Sequence, residues 1–327
     1  MSNTSPADYI VDRRQLQRKL SFWRVASILL LIIGLSLAGL KITGRSGLGF
    51  GGGSPQIARI TITGLITGDR ATLKLIHEVA SAPNAKGVIL AIDSPGGTTT
   101  GAEKLYIALR QLAAKKPTVA VVGTLAASGA YIAAIGADHI VTTGNGLVGS
   151  IGVLFQYPDV SGLLDKVGVK MDTVKSSPLK AEPSGFEPTT PEVRAALASL
   201  VADSYGWFKG LVKDRRGLTD AQLAAVDDGR VFTGRQGIGL KLVDEIGDEP
   251  QAIAWLERVK KVPHGLPVRD WSTKNSLQRL GILSSAAKIA DVLGFHALAH
   301  ILDGAETYAQ GQLLDGLVAI WQVDPTN

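Results

Sequence analysis

Ser128 has the setting of a reactive hydroxyl. An apolar, β-branched run, Thr118–Val122, ends at Gly123, and small residues follow, Ala126-Ala-Ser-Gly-Ala-Tyr-Ile-Ala-Ala134. Strand, tight turn and helix would place the hydroxyl at a helix N-terminus, where unpaired N–H groups and the positive dipole end favour developing negative charge. Acyl transfer through a serine needs such a place. The plainer reading is a helix cap. A second candidate element is Asp93-Ser-Pro-Gly-Gly97, at the end of a buried run. Paired glycines leave amides bare, so Gly96 and Gly97 could face an oxyanion, although Pro-Gly-Gly also makes an ordinary turn.

A nucleophilic serine needs a base. Of the 5 histidines, His77 falls in a helix, His139 starts a strand, and His264, His296 and His300 follow the candidate catalytic part. None sits in a loop with an identifiable carboxylate partner, so a Ser-His-Asp arrangement has no support. A lysine serves if burial keeps it neutral. At its reference pKa only about 0.04% is neutral at pH 7, and bringing the pKa to 7 costs about 4.6 kcal/mol. Lys180 lies among Pro178, Leu179, Ala181 and Pro183, with Glu182 the one nearby charge; Lys175 is the alternative, at an expected strand end, and either could be an ordinary solvated lysine.

Composition narrows the field. The chain has 327 residues, 45% of them hydrophobic, and no cysteine, which removes disulfides and thiol chemistry. The net charge is +5, with Arg13, Arg14, Arg18, Lys19 and Arg24 clustered ahead of the uncharged run Val25–Leu40. No basic and aromatic residues interleave, so nucleic acid is not an expected partner. A helix from Phe22 to Ile42 would span about 31 Å, enough to cross a bilayer, and the positive-inside rule puts the N-terminus in the cytoplasm. A cleaved leader is the competing reading of this stretch, since Ser36-Leu-Ala38 is a small-x-small site.

The expected organisation is therefore a cytoplasmic N-terminus and anchor (1–45), a Gly-rich linker (46–55), a catalytic domain (56–262) and a helical tail (263–327). Strand patterns at 57–63, 87–92, 118–122 and 140–143 alternate with helical ones, which predicts an α/β fold with a mostly parallel sheet; periodicity alone leaves open a flat sheet or a spiral of ββα units. Asp172 onward reads as a strand followed by a loop. Gly144-Asn-Gly-Leu-Val-Gly149 fits G-x-G-x-x-G, but β-like sequence follows it where a dinucleotide site needs a helix. His296 and His300 are four apart on an amphipathic stretch, Ser284–Leu302, but lack the glutamate and third ligand of a zinc site. No cofactor or metal is expected.

Together these residues resemble the signal peptide peptidase A family in its single-domain bacterial form. The likeness rests on Asp93-Ser-Pro-Gly-Gly97, Ala127-Ser-Gly-Ala-Tyr131, Gly149-Ser-Ile-Gly-Val153, Val174-Lys-Ser with Lys180, Gly229-Arg-Val-Phe-Thr-Gly-Arg235, and Leu242-Val-Asp-Glu-Ile-Gly247, in that order. Pro178 and Leu179 depart from the more polar spacing of the family's lysine segment, and the tail lies outside the likeness. The resemblance implies a crotonase/Clp-protease-like spiral and a Ser-Lys dyad. Ser128 would be the nucleophile, Lys180 the base, Ser150 a hydrogen-bond partner of the lysine, and Gly96 and Gly97 the oxyanion hole. It further implies a homo-oligomer on the outer side of the bacterial cell membrane that degrades signal-peptide remnants. The rival readings are a crotonase-like acyl-CoA enzyme, disfavoured by the exported topology, and a non-catalytic membrane scaffold of the same fold.

Overall fold

The computed structural model of the chain describes residues 53–272, together with Trp23 and the backbone of residues 317–320. The chain divides into two compact units, 1–53 and 54–327, and the description concerns the second. The expected membrane helix, and the expected helix at Ser284–Leu302 with His296 and His300, lie outside the described residues. Among the described residues no helix is long and apolar enough to cross a membrane.

The sheet is built from strands that change partner part-way along. β1 (Gln56–Ile66) pairs in parallel with β2 (Ala85–Thr98), and β2 with β3 (Thr118–Ala127). The first half of β3, Val119–Val122, pairs with β4 (His139–Thr142); its second half, Leu125–Ala127, pairs with β5 (Leu147–Gly149). The β2–β3 register shifts between Ile92 and Ser94, and that of β1–β2 between Thr63 and Leu65. Each such strand supplies two segments and is followed by a helix: α1 (Arg70–Ser81), α2 (Thr99–Ala113) and α3 (Gly129–Ile135). The result is a mixed α/β sheet in which long strands alternate with helices. In Gly87–Ile92 all but Ala91 are buried, because both faces are covered. Ala58, Ile60, Val88, Leu90 and Ile92 face the core that includes Ile76, Leu109 and Ile132 of α1–α3. Ile57, Ile89, Val119 and Val121 face Trp255 and Leu256 of a later helix, Glu249–Arg258. Each fully buried aliphatic side chain contributes about 1.5–3 kcal/mol.

β6 (Leu154–Phe155) and α4 (Ser161–Lys166) follow, then turns to residue 190. The strand expected from Asp172 is absent: breakers at Pro178 and Pro183 and the left-handed Ala181 (φ 63°) keep this segment a loop. The long helix α5 (Pro191–Arg216) is capped by Thr190 and stopped by the left-handed Gly217. After α6 (Asp220–Ala224) come β7 (Val231–Thr233), antiparallel to β5, α7 (Gly234–Gly239), β8 (Glu245–Ile246) and α8, the Glu249–Arg258 helix. Beyond residue 263, where a helical tail is expected, the described parts are strands. β9 (Val268–Trp271) pairs with β1, and β10 (Leu317–Ile320) lies antiparallel between β2 and β6.

Candidate active site

Ser128 stands where β3 becomes α3. Its backbone is at φ 55°, ψ −117°, a conformation that side-chain-bearing residues avoid and that holds a hydroxyl on a sharp strand-to-helix turn. The capping alternative fails, since its side chain makes no capping bond. Thr98, Thr190 and Thr233 do cap their helices, from extended backbone. The Ser128 amide instead donates to Gly149 O (2.7 Å) and its carbonyl accepts from Ile132 N (3.0 Å). Its Oγ is 3.5 Å from Gly152 O, and the residue is 1% exposed. The helix behind it is buried along its whole length, and Tyr131 Oη donates to Leu242 O (2.8 Å), fixing the turn from below.

Neighbouring strands bring the other candidates alongside. Ser94 pairs with Ala126 and Gly149 with Ala127, so Gly96 and Ser150 flank Ser128 at the same ends of adjacent strands. Ser150 repeats the positive φ (52°), is 7% exposed, and its amide donates to Arg230 O (2.8 Å). Gly96 has φ 106°, and its amide donates to Ser94 Oγ (3.1 Å), which itself donates to Gly64 O (2.6 Å). An oxyanion at Gly96 would share that donor with Ser94. Gly97 is glycine for space: a Cβ there would lie 2.0 Å from Ile66 O.

The lysines separate by environment. Lys175 Nζ is paired with Glu182 and with Glu187 (3.3 Å). The bond to Glu182 raises its pKa, so it stays charged and is no base; its expected strand end is also missing. Glu182, the one charge among the near neighbours of Lys180 in sequence, is taken up by Lys175 instead. Lys116 is lowered by burial, but its Nζ donates to Ala82 O and Ala85 O (2.7 Å each) at the start of β2, roughly 36 Å along the strand from Gly96. Sequence reasoning missed that pairing, which only the fold creates. Lys180 is exposed in a single copy of the chain, and among the described residues Ser128 Oγ bonds no lysine or histidine.

The loop that carries Lys180 is tied to the segment after β6. Tyr157 Oη and Thr189 Oγ1 are 2.7 Å apart, and Val160 N donates to Gly185 O (2.8 Å). Gly185 has φ 73°, and a Cβ on it would come within 2.5 Å of Pro158 O. Among the described residues no cluster of His, Cys, Asp and Glu could hold a metal ion. The Gly144–Gly149 stretch ends in β5 and opens no helix, as its sequence suggests.

A buried, strained, uncapped hydroxyl beside glycine amides at parallel strand ends is an acyl-transfer arrangement, of the kind serine hydrolases use. Comparison with known proteins narrows that class. Residues 110–263 match the model of "Peptidase family S49". "Putative protease slr0021" of Synechocystis sp. is 38% identical over 61% of this chain and 73% of its own length. "Putative signal peptide peptidase SppA" of Enterococcus faecium is 30% identical over 65% of this chain and 66% of its own. Among solved structures, a mutant of the 1510-N membrane-bound stomatin-specific protease superposes with a TM-score of 0.44 at 14% identity, over 67% of this chain and 99% of that one. The chain belongs to peptidase family S49.

Proposed function

We propose that this chain is a membrane-anchored serine endopeptidase that degrades signal-peptide remnants through a Ser128–Lys180 dyad. The observation that carries the reading is the Ser128 turn, buried and strained without serving as a cap. Ser128 Oγ attacks the peptide carbonyl and passes its proton to neutral Lys180 Nζ. The amides of Gly96 and Gly97 take the oxyanion, and the ammonium returns the proton to the leaving amine. Water, deprotonated by the same lysine, then attacks the acyl group, and the ammonium returns that proton to Ser128 Oγ as the ester bond breaks. Ser150 orients Nζ.

A neutral lysine must be out of water. Lys180 is exposed in one copy, so its cover comes from another. Leu163, Met171, Val174, Leu179 and Phe186, on the stretch of chain that carries it, are exposed apolar residues of the kind a subunit contact would cover. The dyad is therefore completed on assembly of a homo-oligomer. The basic N-terminal flank supports a single-pass anchor in the bacterial cell membrane, with the catalytic domain outside. The relative named signal peptide peptidase supports the substrate class.

The test is mass spectrometry of synthetic signal peptides incubated with wild type, Ser128→Ala and Lys180→Ala. Wild type should yield internal cuts, and Ser128→Ala none. Loss of the base should cost about 10²–10⁴-fold in rate. Full activity in either variant refutes the dyad; an acyl-CoA enzyme or a scaffold would cut nothing.

A further inference from the structure

β2 breaks its ladder with both neighbours within the same few residues. With β1 the pair Thr63–Asp93 is followed by Leu65–Gly96, so Gly64 alone faces Ser94 and Pro95. With β3 the register shifts between Ile92 and Ser94. A bulge of this kind leaves backbone groups without ladder partners. Proline has no N–H to offer the Gly64 carbonyl. The Ser94 hydroxyl supplies that donor instead: its Oγ donates to Gly64 O (2.6 Å) and accepts from Gly96 N (3.1 Å).

These bonds differ in what they protect. Gly64 is exposed, so water can replace the hydroxyl at its carbonyl. Gly96 is buried, and so is Ser94, at 1% exposure. A buried amide with no acceptor is strongly disfavoured. In the empty site Ser94 Oγ is therefore the acceptor that keeps the Gly96 N–H satisfied. That acceptor is neutral. An oxyanion is charged, and charge-assisted hydrogen bonds are about twice as strong.

We propose that Ser94 is a positioning residue of the oxyanion hole: it holds the Gly96 amide while no substrate is bound, and yields it when a charged oxygen forms beside Ser128. This deepens the peptidase reading above and rests on it. As Ser128 Oγ bonds the carbonyl carbon, the π pair of the C=O moves onto the carbonyl oxygen, and the Gly96 N–H turns from the hydroxyl to that oxygen. Ser94 itself stays in place, bonded to Gly64 O. Wild type thus gives up one neutral hydrogen bond to make a stronger one.

The test compares the full wild-type chain with Ser94→Ala and with Ser94→Cys, which nearly keeps the shape but offers only a weak acceptor. The probes are a leucine-rich peptide aldehyde and the alcohol of the same sequence. The aldehyde carbon adds to Ser128 Oγ and leaves its oxygen at the oxyanion position; the alcohol cannot. Dissociation constants are measured for both, and hydrogen exchange is read at the Gly96 amide. With no Ser94 bond to surrender, each variant should prefer the aldehyde over the alcohol about tenfold more than wild type does, the equivalent of one ordinary hydrogen bond. Gly96 should exchange faster in the free variants than in free wild type, and equally slowly in all three chains with aldehyde bound. A residue that only supports the fold would weaken both probes alike. An unchanged or smaller preference, or unchanged Gly96 exchange in the free chains, overturns the proposal. A wild type with no preference for the aldehyde refutes the peptidase reading, while Gly96 exchange in the free chains still decides whether Ser94 holds that amide.

Discussion

Replacing Ser128 by glycine should make this protein more stable. Ser128 sits at φ 55°, ψ −117°, and residues held in such regions cost about 1–3 kcal/mol. Glycine adopts them without steric penalty but loses about 0.5–1 kcal/mol in chain entropy. The hydroxyl gives little up, since its one hydrogen bond, to Gly152 O, is a long 3.5 Å. The net gain is about 0–2.5 kcal/mol, centred near 1, and at about 2–4 °C per kcal/mol for a unit of this size Tm should rise by about 2–4 °C at the centre of that range and by no more than about 10 °C. Ser128→Ala is the internal control: it removes the same hydroxyl but keeps Cβ and hence the strain, so it should lie within about 0.5 kcal/mol of wild type. Thermal unfolding of the three full-length chains by near-ultraviolet circular dichroism measures the difference, and fluorophosphonate labelling confirms that both variants have lost the reactive group. A glycine variant melting at or below the alanine variant would show that the turn stores no strain, and the reasoning that sets Ser128 apart from a cap would fail.

Gly97→Ala should cost more than 2 kcal/mol or so in urea unfolding, together with hydrolysis, because its Cβ would meet Ile66 O at 2.0 Å and Ile66 N at 2.5 Å and force β1 from β2; wild-type stability would contradict that packing. The Lys180 loop should loosen in acid. Glu182 is lowered by its bond to Lys175, so its contribution is fully present above the ordinary carboxylate value of about 4.3 and is lost as pH falls through the lowered one. Lys175 is raised by the same bond, so its share is present below about 10.4 and is lost only above the raised value. Protease nicking within 176–187 should stay constant from about pH 5 to 10, increase in stronger acid, and increase at pH 7 in Lys175→Met; a loop equally resistant in all these conditions would rule out the ion pairs as its anchor.

Much of the scaffold could be read from residue order. The unbroken apolar run Gly87–Ile92 signals a strand covered on both faces, and small residues after Ser128 signal a helix packed without gaps. Both are local properties of sequence. Less visible was the partition of each long strand between two partners, since a register shift such as that at Ile92/Ser94 leaves no mark on periodicity. That Ser128 stands on a strand-to-helix turn and that Gly96 and Gly97 end a buried run could be read because turn chemistry is local. The choice between Lys175 and Lys180 was not: it depends on Glu182 and Glu187 folding back, twelve residues or fewer along a loop that has no repeat to read. β10 was hidden for a further reason, since a strand so short takes its identity from the edges it meets and not from its own residues.

The bonds Tyr157–Thr189 and Val160–Gly185 give the molecule a lever. One arm follows Leu154–Phe155, which pairs with β10; the other carries Lys180. The arms are fastened to each other at two points. Under the proposed dyad, a guest seated against the first arm would be felt by the amine on the second, so that fit and chemistry would be linked through two hydrogen bonds.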